Sequence, residues 1–521
     1  MSLSGLMVFI DVPDEFLPRA QWALDTMLAP LGRRAVLTHD LAQSSGAVLA
    51  YAAAPVRGVP TIPCSAAAMK LLGAPQALPT GAFAARECGN GSAVAAFPVD
   101  LGAGFAVPFD LVASAFVLLA CWDEHTTATR DKHDRLPYSA SVFAANSALR
   151  IDDPAVDRYV ELLRAVLAER LVDLGLEPLP EAGWMWPAGK AGSGHAVALT
   201  HDLDNLWRWT ARGFVATGYR CARAVRHGDS VALRRELGDL GDWLTRHLPR
   251  RTDPYWTFPQ LLNGEDARGV SSTFYVIARH THRTDGNQPE TYRRRIPRAL
   301  ALLRHRGREI GLHGNDSDRL GLDSLRGDRG LLARHARTEV RGIRYHYLRC
   351  LYHETLPLLE QAHFSYDTSL AFAEHEGFRC GCSFPFRPYH LREERPLDLV
   401  ELPLAVMDGT LQEPHYRGLG AAAAEHAAEA VLERVGRSGG AVSILWHNNR
   451  FDRRMSRGYD RVYWRLVGRL LEQGAWATSA HAVVTRWREA TGMETSDSAQ
   501  AVGAHVCDAG LDAAEAGGRG A

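Results

Sequence analysis

The sequence predicts an α/β protein built in two parts, a smaller α/β unit followed by a strand-helix repeat compatible with a closed or nearly closed βα barrel. Three observations predict it. Short apolar runs separated by longer polar or Ala-rich stretches occupy the first 63 residues, the pattern of a small α/β unit. Strand-like runs then alternate with amphipathic segments over about 300 residues, which implies a parallel sheet. Finally, 521 residues suffice for two to four domains at roughly 150 residues each.

Taken in order, Leu6–Ile10, Ala35–Leu37, Gly46–Ala50 and Thr61–Pro63 read as strands of the first part. From Asp110 the pattern turns helical. Asp152-Asp153-Pro154 supplies a cap and a proline for the first helical position, Tyr159, Leu162, Leu163, Val166, Leu167 and Leu171 repeat at helical spacing, and Gly175 stops the run. The N-terminal region, residues 1–180, is expected to end there. Glu181–Gly194, with Pro187, Gly189, Gly192 and Gly194, reads as a linker. In residues 181–491 the strand candidates are Ala196–Leu199, Ser272–Val276, Glu309–Leu312, Leu399–Leu402 and Val442–Leu445, with a helix over Ala421–Val435 ended by Gly436. Residues 492–521 are rich in Ala, Gly and Ser and poor in apolar side chains, so a disordered tail is expected.

Composition narrows the function classes. Lys and Arg total 59 against 60 Asp and Glu, a formal net charge of -1, which argues against nucleic-acid or polybasic membrane binding because counterion release needs a cationic surface. All but Lys70, Lys132 and Lys190 of the basic residues are arginine. The eight cysteines are scattered and fit reduced, mostly buried thiols. Cys380-Gly381-Cys382 is too close for an unstrained bridge and lacks a second pair for a zinc site. No charged start followed by an apolar run opens the chain, and the most apolar window, Leu111–Trp122, is too short to span a bilayer. A cytoplasmic location is therefore expected. The 22 histidines invite a search for metal ligands.

In parallel α/β folds chemistry gathers at the carboxyl ends of strands. Ala196–Leu199 runs into Thr200-His201-Asp202-Leu203-Asp204, Glu309–Leu312 into His313-Gly314-Asn315-Asp316, and Val442–Leu445 into Trp446-His447-Asn448-Asn449. Carboxylate and imidazole together suit Zn²⁺ or a similar divalent ion, leaving a further group to move protons. A control lies within the chain. Leu37-Thr38-His39-Asp40-Leu41 repeats the pentapeptide at Leu199 but continues with Ala42. What distinguishes the second copy is the pair Asp202 and Asp204, two residues apart, which a strand-end turn can bring to one ion.

These segments, with Ser272–Tyr275, Arg344-Tyr345-His346-Tyr347 and Leu445-Trp446-His447 in the same order, resemble the polysaccharide deacetylases of the NodB-homology type, carbohydrate esterase family 4-like, over roughly residues 185–490. Gly342–Arg349, Tyr366–Leu370, Gly377-Phe378-Arg379 and Pro385-Phe386 are similar to a bacterial subgroup that carries an uncharacterised N-terminal domain. Pro108–Leu111 and Arg130-Asp131-Lys132-His133 resemble the helical part of that domain. The resemblance implies a distorted (β/α)7 barrel and a metal-dependent hydrolase that removes an acyl group from an amino sugar. It implies Asp202 as general base, Asp204 and His313 as metal ligands, Arg344 as the group orienting the base, Tyr347 as a groove residue near the oxyanion, and His447 as general acid. Zn²⁺ is the implied ion, with Co²⁺ or Mn²⁺ as alternatives.

Two positions depart from that pattern. The second histidine, four residues after the first, is here Ser317, and the usual proline of the arginine motif is His346. His346 can replace the missing imidazole, Asp316 is a third candidate ligand, or the site is a two-ligand remnant. His346 is favoured, since neutral imidazole is a better zinc ligand than a hydroxyl.

Each residue also has a structural reading. Asp204 can cap a helix, His447 can be a satisfied core histidine, Arg344 and Arg349 can be ion-pair partners, and Asp408 can orient the acid or make an Asx turn. Arg379 and Tyr366-Asp367 are expected to shape the groove or the barrel interior. Trp207, Trp209 and Trp256 are candidates for stacking on sugar rings, although aromatic residues are more often core. No phosphate-binding loop or nucleophile elbow is present. The expected activity is removal of an acyl group, N-acetyl first, from an acylated amino sugar, oligosaccharide or glycosylated small molecule. The alternatives are a decayed barrel that binds or scaffolds and a hydrolase of another C–N amide bond. The oligomeric state is not legible.

Overall fold

The computed structural model describes the chain except residues 1–2, 41–45, 89–90, 101–103, 188–193, 246–252, 283–284, 288, 316–320, 453–455 and 493–521. Asp316, Ser317 and the expected tail from 493 onward lie outside the described residues, as does the middle of the linker.

The N-terminal region holds a four-stranded parallel sheet of β1 (Ser4–Asp11), β2 (Arg33–Thr38), β3 (Leu49–Ala52) and β4 (Thr61–Pro63), in the order β2-β1-β3-β4. The alternation of β1 explains its two-sided burial. Leu6, Val8 and Ile10 enter the main core beside the helix Leu17–Leu28, while Phe9 packs into a separate cluster with Ala47, Ala50 and Val59. An antiparallel hairpin of β5 (Ala84–Glu87) and β6 (Ser92–Ala95) was not legible, because its strands are short, mix small residues with Arg86 and Glu87, and bury only Ala93 and Ala95.

All nine residues of the helix Leu111–Leu119 are buried, as an all-round apolar helix requires. Asp110 caps it by accepting the Ala113 N–H at 2.8 Å. The next long helix, Ala155–Asp173, corrects the sequence reading: Pro154 occupies the cap position and no side chain caps the helix. Asp152 instead pairs with Arg150 and Arg434, at 2.7 and 3.1 Å.

The remainder is organised around β7 (Ala196–Asp202), β8 (Thr273–Val276), β9 (Glu309–Gly314), β10 (Gly342–Tyr345) and β11 (Tyr366–Asp367). A small hairpin of β12 (Tyr389–His390) and β13 (Arg395–Pro396) precedes β14 (Val400–Glu401), β15 (Leu404–Met407), β16 (Ala441–Leu445) and β17 (Trp476–Thr478). Apart from the hairpin these strands form one curled, wholly parallel sheet in the order β14-β11-β10-β9-β8-β7-β16-β15, with β17 beside the first half of β7. Its two path ends, β14 and β15, are separated by only Leu402 and Pro403. Every residue of β7 is buried, as expected for a strand covered on both faces. After β15 comes the short helix Asp408–Gln412, and then the helix Ala421–Ser438, which ends at Gly439, whose φ is 66°, not at Gly436.

The two parts share one hydrophobic core that includes Leu24, Phe116 and Tyr159 together with Phe378, Tyr389 and Ile444. Trp22 Nε1 donates to the Arg387 carbonyl at 2.8 Å and Ser383 N to Asp157 at 2.9 Å. Buried Arg379 pairs with buried Glu124. Cys380 and Cys382 are buried free thiols, and Cys380 Sγ lies 3.6 Å from Cys121 Sγ.

Candidate active site

The carboxyl ends of β7, β9, β10 and β16 meet at a cavity of about 470 Å³. On β7, alternation sends neighbouring side chains to opposite faces. His201 turns into the core, where Nδ1 lies 2.7 Å from the Trp446 carbonyl and Nε2 3.1 Å from Glu265. Asp202 faces the cavity, and the turn beyond it brings Asp204 to the same place. The look-alike His39 and Asp40 at the end of β2 are exposed.

Asp204 is surrounded by imidazoles. His313 Nε2 is 3.0 Å from its Oδ1, His346 Nε2 is 3.6 Å from Oδ2, and His447 Nε2 is 3.4 Å from Oδ2. Burial raises the Asp204 carboxyl, but His346, then His313 and His447, hold it well below the usual carboxylate range. For His313 burial works against the charged ring, while Asp202 and Asp204 raise it above its ordinary value. His313 is held by its other nitrogen, since Nδ1 lies 2.9 Å from the Arg344 carbonyl.

Asp204, His313 and His346 each direct a ligand atom within 4.8 Å of the others. Asp204 Oδ1 and His313 Nε2 are buried and, despite their separation, are not aligned for a hydrogen bond to any described residue. Two buried polar atoms without an aligned partner, close together, fit a cation, and one carboxylate with two imidazoles is a donor set that suits Zn²⁺.

On one side of this group stands Asp202, with the fully buried Arg344 behind it. Arg344 Nη1 donates to Thr200 at 2.6 Å and to Asp202 at 3.3 Å, Nε to the Thr368 carbonyl at 3.1 Å, and Nη2 to Ser443 at 3.3 Å. Its four partners come from two strands, β7 and β16, and the loop after β11, which fixes the guanidinium against Asp202.

On the other side His447 Nδ1 lies 2.6 Å from Asp408 Oδ1, and Arg450 Nε donates to Asp408 Oδ2 at 3.2 Å. Burial opposes the His447 charge, but Asp408 and then Asp204 raise the imidazole well above its ordinary value. Burial likewise raises Asp408, and His447 with Arg450 brings it below. Of the two sequence readings of Asp408, the imidazole partner is the one the structure brings about.

Tyr347 lies at the mouth, 39% exposed, with its ring stacked on His346 at 4.0 Å. Other expectations are not met. Trp207 lies under Arg295, Trp256 packs on Phe258, and neither these nor Trp209 line the cavity. Arg379 supports the N-terminal region and not the groove. Sequence reasoning missed Arg135, Glu413, Tyr416 and Arg450 on the cavity wall; the spacing of Arg450 three residues after His447, one turn of a short 3₁₀ helix, was the available signal.

A family model described as "Family of unknown function (DUF7033)" matches residues 9–172. No curated protein matches the chain. Among solved structures, a Mycobacterium smegmatis protein assigned to the polysaccharide deacetylases is 20% identical, with 58% of this chain and 92% of that chain covered and a TM-score of 0.38. An allantoinase is 12% identical, with 58% and 92% covered and a TM-score of 0.38. A pseudoenzyme of carbohydrate esterase family 4 from Bacillus anthracis is 12% identical, with 56% and 65% covered and a TM-score of 0.27.

Proposed function

We propose that the chain is a metal-dependent hydrolase that removes an acyl group, N-acetyl first, from an amino sugar, oligosaccharide or glycosylated small molecule. The observation that carries this reading is the grouping of Asp204, His313 and His346 within 4.8 Å, with Asp202 on one side and the His447–Asp408 pair on the other. Asp204, His313 and His346 are the residues that would hold a divalent ion, Zn²⁺ before Co²⁺ or Mn²⁺. A bound divalent ion polarises the amide carbonyl and lowers the pKa of water to about 7.

The protein's own groups divide the proton work. Asp202, kept in place by Arg344, accepts the proton of the attacking water. His447, oriented through Nδ1 by Asp408, delivers a proton from Nε2 to the leaving amine as the C–N bond breaks. The products are the free amine and the carboxylate. Tyr347 walls the groove beside the acyl group. General acid and base groups on opposite sides of a tetrahedral carbon contribute typically 10²–10⁴-fold each.

We read the strand positions β7, β8, β9, β10, β11, β14–β15 and β16 as a distorted (β/α)7 barrel, with residues 181–491 as the catalytic unit and residues 1–180 as a separate N-terminal unit. The buried free cysteines favour a cytoplasmic precursor or glycoside as substrate.

Metal analysis after supply of Zn²⁺, Co²⁺ or Mn²⁺ tests the reading, with one divalent ion per chain expected; none bound means the hydrolase assignment is abandoned. Acetate release from acetylated amino sugars is the activity readout. Asp202→Asn is expected to retain the ion and to lose at least about 100-fold in turnover. An active Asp202→Asn protein removes the general-base role.

A further inference from the structure

The segment Arg130–Arg135, inside the region matched by the family of unknown function, reaches the catalytic cavity, where Lys132, His133 and Arg135 form part of the wall. Arg135 is 6% exposed. Asp131 grips it by accepting from Nε at 2.9 Å and from Nη2 at 2.6 Å, and also accepts the backbone N–H groups of His133 and Arg135 at 2.8 and 3.0 Å. This leaves Nη1 aimed away from the segment, and it donates to the Tyr347 carbonyl at 2.6 Å.

Tyr347 needs such a hold. It and Leu348 are consecutive non-glycine residues with φ of 59° and 56°, a conformation that persists only where the surroundings enforce it. The His133 ring stacks on Tyr347 at 4.6 Å with planes 9° apart, and Tyr347 stacks on His346 at 4.0 Å. Arg349 lies over the same tyrosine at 5.3 Å and 3.4 Å from His133 Nδ1. The His346 ring lies between this stack and the His313 ring, 5.0 Å away. His313 is oriented by the Arg344 carbonyl, whereas among the described residues only Asp204 stands within ion-pair distance of the His346 ring.

We propose that Arg135 is a positioning residue of the metal site, and that the N-terminal region completes that site by fixing the Tyr347 turn and, through it, the direction of His346. The proposal rests on the reading of His346 as a ligand. Groups that orient a ligand from behind typically change metal affinity 10–100-fold when removed.

The test is Co²⁺ and Zn²⁺ affinity of the metal-free, full-length chain, measured by competition with a chelator, together with the visible absorption of the Co²⁺ form. Arg135→Ala is expected to weaken binding about tenfold and to alter the Co²⁺ spectrum, and Arg135→Lys, which keeps a donor for the Tyr347 carbonyl, to recover part of the loss. His133→Ala, which removes the stack, is expected to shift both readouts the same way and carries the test if Arg135→Ala does not fold. Arg19→Ala breaks a different contact between the two parts, the pair with Glu394, and is expected to leave both readouts unchanged. Wild-type affinity and spectrum in Arg135→Ala, alongside a loss in His346→Ala, overturn the positioning role and leave the metal reading standing. An equal loss in Arg19→Ala overturns it as well, by reducing it to general loosening. Wild-type protein that binds no ion brings down the metal reading itself.

Discussion

A half-buried imidazole proposed as a general acid needs a partner that fixes its tautomer and stabilises its charge. His447 has both in Asp408, whose second oxygen is occupied by Arg450 and the His447 N–H. Replacing Asp408 by Asn keeps the shape and removes the charge, so His447 loses the largest influence that raises it. Asp408→Asn is expected to lower turnover by about 100-fold or more while metal content stays at the wild-type level; a variant of unchanged turnover reduces Asp408 to a structural role. Residues of this kind are only partly legible in a sequence. Asp202 and Asp204 were visible because they lie two residues apart at one strand end. The Asp408–His447 pair spans 39 positions, and Thr200 and Ser443 hold Arg344 through hydroxyls that no spacing rule singles out. The tryptophans, for which packing was the more common reading, do not line the cavity.

Strands flanked by clear turn or polar segments were read well, even the three-residue β4, whereas β10, β11 and β15 were not. β10 and β11 carry Arg344 and Asp367 inside four- and two-residue strands, too brief and too polar for periodicity to register, although β10 presents Arg344 and leads directly into His346. The helix Leu111–Leu119 shows how a legible element can hide a tuned group. Asp110 accepts from Ser65 N–H, Ala113 N–H and the Tyr51 hydroxyl in a fully buried setting. Burial nevertheless pushes its carboxyl up to about 7, with the Ser65 and Ala113 N–H groups pulling the other way. The unfolded carboxyl titrates near ~4, so folding takes up a proton between those values. The contribution of this group is therefore most favourable below pH ~4 and declines as pH rises toward 7, by at most about 1.4 kcal/mol per pH unit. Asp110→Asn cannot take up that proton. Its stability between pH 4 and 7, measured by denaturant unfolding, is expected to fall less steeply than that of the wild type, and identical slopes refute the assignment.

Over the whole molecule, the apolar core includes residues from both sides of the division expected near residue 180. Composition cannot reveal this, because the residues that join the parts are ordinary core and ion-pair types: Trp22, Phe116, Glu124, Arg379 and Tyr389. The Glu124–Arg379 pair matters most, since both groups are almost fully buried, and Glu124 also accepts the Tyr352 N–H that opens the helix Tyr352–Gln361. Removing one partner of a buried pair leaves the other charge unsatisfied, at a cost of about 3–5 kcal/mol. Because the two parts share one core, their unfolding is expected to be coupled. Calorimetry of the full chain is therefore expected to show a single unfolding transition, and Glu124→Ala to shift that whole transition downward. If Glu124→Ala instead separates an early N-terminal transition from an unshifted later one, the two parts are energetically independent.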